Sequence, residues 1–279
     1  MSDLLIVIPA YNEESNIEKV VDRLIKGFPQ YDYLVINDGS RDRTGEICRA
    51  RGYEFLDLPV NLGLAGGFQA GLKYAAKKGY RYAVQLDGDG QHRPEYLEDM
   101  MKKMEEGYDI VIGSRFVGAK KPLSMRMIGS RLIEWAIRLT TGVTIKDPTS
   151  GLRMFNQNMI REFAGGLNYG PEPDTVSYLI KAGARVAEIP VIMDERVQGA
   201  SYLTPVKSVF YMAKILLSIL LIQPAQREAG ADRLPQQKGA DRGGPDRDGA
   251  WVRLLRLLRP AHGAHRGGGR DQSAFRAAL

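Results

Sequence analysis

Two carboxylates two residues apart in a glycine-rich turn, Asp87-Gly88-Asp89-Gly90-Gln91, are the groups in this 279-residue chain best suited to chemistry. At that spacing both can face one ion. Hard oxygen donors of this kind suit Mg²⁺ or Mn²⁺, ions that keep coordination positions open for substrate phosphates. Gly88 and Gly90 would let the backbone come close to a ligand. Acidic turns also occur as plain solvated loops, so the elements around this one decide its meaning. The apolar run at 82–86 predicts a short buried strand leading into the turn, and Pro94-Glu95 predicts the first turn of a helix leading out.

The same strand, polar turn and helix recur upstream. A strand at 4–8, stopped by Pro9, leads into Tyr11-Asn12-Glu13 and an amphipathic helix carrying Ile17, Val20, Val21, Leu24 and Ile25 on one face. A strand at 33–36 runs into Asn37-Asp38-Gly39-Ser40 and a helix over 44–51. A strand at 53–56 precedes the loop Asn61-Leu62-Gly63 and a helix ending near Gly79. This alternation predicts an α/β fold whose mainly parallel sheet is flanked by helices, with ligand loops at the carboxyl ends of the strands. Asn12, Asp38, Asn61 and Asp87 occupy four such ends and should converge on one crevice. Further on, a strand at 109–112 ends in Gly113-Ser114-Arg115, and a helix follows over 125–140. The turn cluster Asp147-Pro148-Thr149-Ser150-Gly151-Leu152-Arg153 enters a short strand at 153–155. A loop bearing Glu172 and Asp174 opens another helix, and a last strand at 184–191 precedes Arg196 and Ser201.

The net charge of +6 is not spread evenly: residues 223–279 carry 11 Lys and Arg against 6 Asp and Glu, leaving 28 against 27 for residues 1–222. A nearly neutral body gives no electrostatic basis for binding nucleic acid. The lone cysteine, Cys48, excludes an intrachain disulfide framework and fits a reducing compartment. The amino terminus lacks a charged stretch followed by a long apolar one, so no secretory signal is expected. Residues 204–222 form an apolar helical segment too short in its most apolar run to span a bilayer, which leaves it either lying in a membrane interface or packed on the core. From Gln223 the composition changes abruptly: no Ile, Tyr, Met, Asn or Thr occurs up to Leu279. Such a tail should be mostly disordered, and its abrupt onset suggests a shifted reading frame, which sequencing across the Gln223 codon would test. The domain plan is therefore a catalytic unit over 1–203, the helix at 204–222 and the tail at 223–279.

Six motifs in order, Ile8-Pro9-Ala10-Tyr11-Asn12-Glu13, Asn37-Asp38-Gly39-Ser40, Asn61-Leu62-Gly63, Asp87-Gly88-Asp89, Gly113-Ser114-Arg115 and Asp147 to Arg153, resemble those of family 2 glycosyltransferases. The likeness covers residues 4 to about 222 and points in particular to the dolichol-phosphate mannose synthase and polyprenyl-phosphate glycosyltransferase branch. It implies a GT-A fold that binds a nucleotide-diphosphate sugar. Pro9, Tyr11 and Glu13 would contact the base and Asp38 the base or ribose, with Asn61 beside them; Asp87, Asp89 and Gln91 match the branch's metal triplet. Arg115, Arg126, Ser130 and Arg153 match positions that handle phosphate, and Arg196 with Ser201 resembles a late segment that closes over the diphosphate. Members invert at the anomeric carbon. A hydroxyl acceptor would need a carboxylate base, for which Glu172, Asp174 and Asp147 are the candidates. A polyprenyl phosphate acceptor would need none, because it is already ionised near neutral pH. Pro-Glu-Pro-Asp stands where hydroxyl-acceptor relatives carry Glu-Asp, which weakens any base assignment.

The resemblance thus implies a metal-dependent hexosyltransferase, peripheral on the cytoplasmic membrane face, acting on polyprenyl phosphate, with a polysaccharide hydroxyl as the alternative acceptor. A homo-oligomer is compatible with this. A nucleotidyltransferase fits less well, because residues 9–14 hold no activating Arg or Lys in a glycine-rich loop.

Overall fold

The computed structural model describes residues 2–165, 170–194 and 205–222. The expected closing segment with Arg196 and Ser201, and the tail at 223–279, lie outside the described residues. Seven strands form one sheet: β1 (Leu4–Ala10), β2 (Asp32–Asn37), β3 (Phe55–Asp57), β4 (Tyr82–Gln85), β5 (Ile110–Ser114), β6 (Arg153–Asn156) and β7 (Val186–Pro190), ordered β3-β2-β1-β4-β6-β5-β7. Around them are α1 (Ile17–Gly27), α2 (Thr44–Arg51), α3 (Gly63–Lys78), α4 (Leu97–Glu105), α5 (Met125–Thr141), α6 (Gln157–Ala164), α7 (Pro173–Lys181) and α8 (Pro205–Leu217).

The chain moves from β1 outward to β2 and β3, then returns to place β4 on β1's other side. The order therefore reverses between β1 and β4, and a doubly wound sheet binds ligands at the carboxyl ends beside such a reversal. The gap opens because pairing of β1 with β4 stops at Val7 and Gln85, whereas pairing with β2 continues to Ala10 and Asn37. This also corrects the expectation that Pro9 ends β1. The strand runs to Ala10, and the proline's missing N–H falls where only one side of the strand is paired.

β1 is buried on both faces, as its unbroken apolar run requires. β6 alone among the described strands runs against its neighbours, pairing antiparallel with β4 and β5. Its amino end therefore lies at the carboxyl edge of the others. Phe155 on β6 meets Phe68 of α3 and Phe163 of α6 at ring separations of 5.4 and 5.3 Å, and tilted or edge-on aromatic pairs of this kind add about 0.5–1.5 kcal/mol each beyond burial. That trio seats α6, a helix the sequence reading did not anticipate. Helix α5 begins as expected, with the Ser124 hydroxyl accepting from Met127 N–H at 3.3 Å.

Helix α8 continues as a wider π-helical turn, Ser218–Ile222. Ile215 and Ile219 are buried on one side, while Phe210, Leu217 and Leu221 stay exposed on the other. Among the described residues no helix is long and apolar enough to cross a membrane.

Candidate active site

The turn after β4 is built around Asp87. Its Oδ1 accepts from Gln85 Nε2 at 2.8 Å, and its backbone N–H donates to His92 Nδ1 at 3.0 Å. His92, itself buried, thereby buttresses the turn from behind, with Nε2 3.7 Å from Asp87 Oδ2. Asp89 is buried and its Oδ1 accepts from Gln91 N–H at 3.1 Å, an Asx turn that fixes the second carboxylate. Gln91 is pinned in turn: its carbonyl accepts from Asp194 N–H at 2.9 Å, and its Nε2 donates to Asp194 O at 3.3 Å. Arg93 binds the Asp194 carboxylate through Nε at 2.8 Å and also through Nη2, which holds that carboxyl below its usual range.

Among the described residues no three His, Cys, Asp or Glu side chains gather into a ready metal cage. A pair of hard oxygen donors fits Mg²⁺ or Mn²⁺, which complete their shell with water and substrate phosphate. Gly88, expected to admit a ligand, instead admits protein: a Cβ there would lie 3.2 Å from Pro9 O. Gly151 is the glycine that leaves room for the Asp87 carboxylate, since a Cβ on it would stand 2.8 Å from Asp87 Oδ2.

Beyond β1, β2 and β3 lies a cleft of about 400 Å³ whose walls include Tyr11, Asn37, Gly39, Arg41, Asp57 and Asn61. Tyr11, 41 % exposed, is part of its lining. Asp38 is buried, with Oδ1 accepting from Leu62 N–H at 2.7 Å while its carbonyl accepts from Asn61 Nδ2 at 3.0 Å. One carboxylate oxygen is thus spent holding the cleft's far wall. Gly39 has φ +63°, and a Cβ there would meet Asn61 N at 2.5 Å, so no other residue fits that turn. Glu13 is tied to its own turn by Asn16 Nδ2 at 2.8 Å, and its N–H donates to Thr44 Oγ1 at 2.8 Å. Of the expected donor-site residues, Tyr11 and Asn61 line the cleft, whereas Pro9, Glu13 and Asp38 are not among its walls.

On the opposite side, Arg115 and Asp147 are partners. Asp147 Oδ2 accepts from Arg115 N–H at 3.1 Å and from Nε at 2.7 Å; Oδ1 accepts from Arg115 Nη2 at 2.8 Å and from Thr149 Oγ1 at 3.3 Å. Four donors fill the four lone-pair directions of a carboxylate whose side chain is wholly buried. Asp147 therefore has no lone pair left for a substrate proton, and the expectation of a base there is corrected: it orients Arg115. The Arg115 side chain remains 25 % exposed, and its Nη1 makes no hydrogen bond to a described residue.

Arg153 also departs from expectation. It is fully buried, donating from Nε to Ser150 O at 2.8 Å, from Nη2 to Pro148 O at 2.6 Å and from Nη1 to Pro171 O. Burial pulls its pKa below the ordinary value. A guanidinium spent on three carbonyls is a brace between two loops and not a phosphate ligand. Glu172 Oε2 accepts from Tyr211 O–H, and Asp174 accepts from Thr175 N–H at 3.0 Å and Ser218 Oγ at 2.8 Å. Ser130 is buried and accepts from Lys121 Nζ at 3.1 Å; the side chain of Arg126 lies outside the described residues.

Sequence reasoning missed Glu188, a carboxylate in the middle of β7. It accepts from Lys146 N–H and Asp147 N–H, both at 2.7 Å, and so fixes the turn that fixes Arg115. Burial pushes its carboxyl above the ordinary 4.5 despite those donors. A charge inside a strand of apolar neighbours was the available signal.

Residues 5–163 match the profile of Glycosyl transferase family 2. The chain is 30 % identical over 211 residues to an undecaprenyl-phosphate mannosyltransferase of Micrococcus luteus, covering 71 % of this chain and 86 % of that one. It is 29 % identical to a polyprenol monophosphomannose synthase of Mycolicibacterium smegmatis, with 71 % and 79 % covered. Its fold is shared with glucosyl-3-phosphoglycerate synthase of Mycobacterium tuberculosis, solved with Mn²⁺, UDP-glucose and phosphoglyceric acid: the TM-score is 0.57 at 19 % identity, over 80 % of this chain and 79 % of that one.

Proposed function

The chain belongs to glycosyl transferase family 2, and on that premise we propose that its crevice takes a nucleotide-diphosphate sugar and transfers the sugar, with inversion, to a polyprenyl phosphate at a membrane surface. The observation that carries this reading is the packing of the Asp87-Gly88-Asp89 turn on the carboxyl end of β1, Gly88 against Pro9 O and Ala10, next along the chain to Tyr11 of the cleft. The cleft holds the base, and the diphosphate reaches from it toward the carboxylates. Asp87 and Asp89 would hold Mg²⁺ or Mn²⁺, which neutralises the charge that builds on the departing nucleotide. Gln91, clamped by Asp194, keeps the second carboxylate in place.

Arg115 follows β5, which β6 alone separates from β4 and its acidic turn. Its fork is oriented by Asp147 and its Nη1 is available, which suits a phosphate oxygen. The engagement of all three candidate carboxylates, Asp147 by Arg115 and Glu172 and Asp174 by donors from α8 and its following turn, supports an acceptor that needs no general base. A phosphate monoester, with its second pKa near 6, is such an acceptor.

Membrane contact has its own support. Ile128, Leu132, Trp135 and Leu139 are all exposed and recur along one stripe of α5, beside exposed Phe210, Leu217 and Leu221 on α8 and its extension. Exposed Arg131, Arg138 and Lys214 flank them. An apolar face with a basic border suits the interface of an anionic bilayer.

The test is transfer of label from nucleotide sugars, offered singly with Mn²⁺ and a polyprenyl phosphate, into an organic extract. Label in the lipid phase that Asp89→Ala abolishes is the expected result. Transfer to soluble glycan with none to lipid would overturn the acceptor assignment.

A further inference from the structure

The acidic turn Glu172-Pro173-Asp174 is held from two sides by groups far away in sequence. On the inner side its neighbour Pro171 O accepts from Arg153, whose other bonds reach Pro148 O and Ser150 O, one residue from the glycine that abuts Asp87. On the outer side the donors come from α8 and the turn that extends it: Tyr211 O–H to Glu172 Oε2, and Ser218 Oγ to Asp174 Oδ2 at 2.8 Å. Lys181, at the far end of α7, donates to Ile219 O at 3.4 Å and fixes the same segment. Residues 211 and 218 are seven apart, so they share a helix face. Phe210, Leu217 and Leu221 leave their apolar surface exposed beside it.

We propose that Tyr211 and Ser218 are positioning residues of the acceptor site, through which the seating of the C-terminal apolar helix sets the Glu172–Asp174 turn; this rests on the lipid-phosphate reading above. Two carboxylates two residues apart repel one another, and in this turn the Tyr211 and Ser218 hydroxyls are donors that hold them. Tyr211 is a durable donor: burial first, and the Glu172 charge after it, push its phenol far above the ordinary value of 10. Without the helix face, Glu172 and Asp174 would swing toward the crevice and oppose an incoming phosphate. The donor side, built from β1 to β4, would be untouched.

The experiment uses the full chain in lipid-transfer assays, comparing wild type with Tyr211→Phe, Ser218→Ala, Glu172→Gln and Tyr211→Phe/Glu172→Gln. The expected result is an acceptor KM raised about tenfold by Tyr211→Phe, the scale of one lost hydrogen bond to a charge. The KM for nucleotide sugar should stay within about twofold. Ser218→Ala should shift the acceptor KM in the same direction. In the double variant, Glu172→Gln should relieve most of the Tyr211→Phe effect, because the unheld charge is gone. Equal acceptor KM in wild type, Tyr211→Phe and Ser218→Ala, with only the melting temperature lowered, would overturn the proposal and leave the contacts as helix packing. A wild-type enzyme that makes no lipid product at all would overturn the acceptor reading, and this proposal with it.

Discussion

Replacing Arg153 by Met separates a brace from a phosphate ligand. Met keeps an apolar stem out to the ε position, so the change removes the guanidinium and leaves its volume unfilled. That strands Pro148 O, Ser150 O and Pro171 O, each of which now accepts from it. A buried acceptor left without a donor costs about 1–3 kcal/mol. Part of the sum is returned because the cation itself is fully buried, the same desolvation that lowers its pKa. A net loss of about 3–5 kcal/mol is expected, or a fall in melting temperature on the order of 10 °C for a domain of this size. Arg153→Lys should recover little of it, since one ammonium on a flexible stem cannot reproduce a planar fork aimed at three carbonyls. Differential scanning calorimetry on wild type and both variants, beside steady-state kinetics, decides the matter. An unchanged melting temperature with an acceptor KM raised tenfold would refute the brace and return Arg153 to phosphate handling.

Gly151→Ala should place a methyl 2.8 Å from Asp87 Oδ2 and displace that carboxylate, lowering kcat about 100-fold while melting stays near wild type; Mn²⁺ titration of both proteins checks it. A chelator should abolish transfer, and Mg²⁺ or Mn²⁺ should restore it in wild type but not in Asp89→Asn, read from labelled lipid product. Glu188 gives a pH signature: a carboxyl raised above its ordinary 4.5 in the fold adds no penalty below that pH, and costs stability as pH rises through the raised value. Denaturant titrations from pH 4.5 to 8 should show wild type losing more stability than Glu188→Gln across that window. Trp135→Glu with Leu139→Glu should weaken cosedimentation with anionic vesicles about tenfold or more and leave nucleotide binding intact.

What the sequence makes plain is what local patterning dictates. The apolar runs near residues 4, 33, 82 and 110 became β1, β2, β4 and β5, because strands buried on both faces must be continuously apolar. Ser124 and Gly142 bracket α5 as caps should. Helix α6 escaped notice because its seating depends on Phe68, nearly a hundred residues away. The direction of β6 was equally hidden, since an apolar run reads the same both ways. The two charged residues whose roles changed, Asp147 and Arg153, share a reason. A motif gives residue type and order, whereas facing inward or outward is settled by partners such as Arg115, Pro171 and Glu188 on other elements.

The reversal of β6 has a consequence for how the two halves of the site are joined. Running antiparallel, it delivers residues 147–152 to the carboxyl edge, directly between the turn after β4 and the turn after β5. Arg153 pairs in register with Gln85 on one side and Ile112 on the other, while Ser150 Oγ donates to Gly113 O at 2.6 Å. Asp147 grips Arg115, and Gly151 packs on Asp87. The Asp87–Asp89 turn and Arg115 are therefore spaced by one short, hydrogen-bonded connector instead of by separate supports. Misplacement by even 1 Å is expensive in group transfer, so a single connector that fixes both ends is a direct way to hold donor and acceptor chemistry in register. It follows that substitutions at Ser150 should disturb Asp87 and Arg115 together, and that their effects should not be additive with changes at either end.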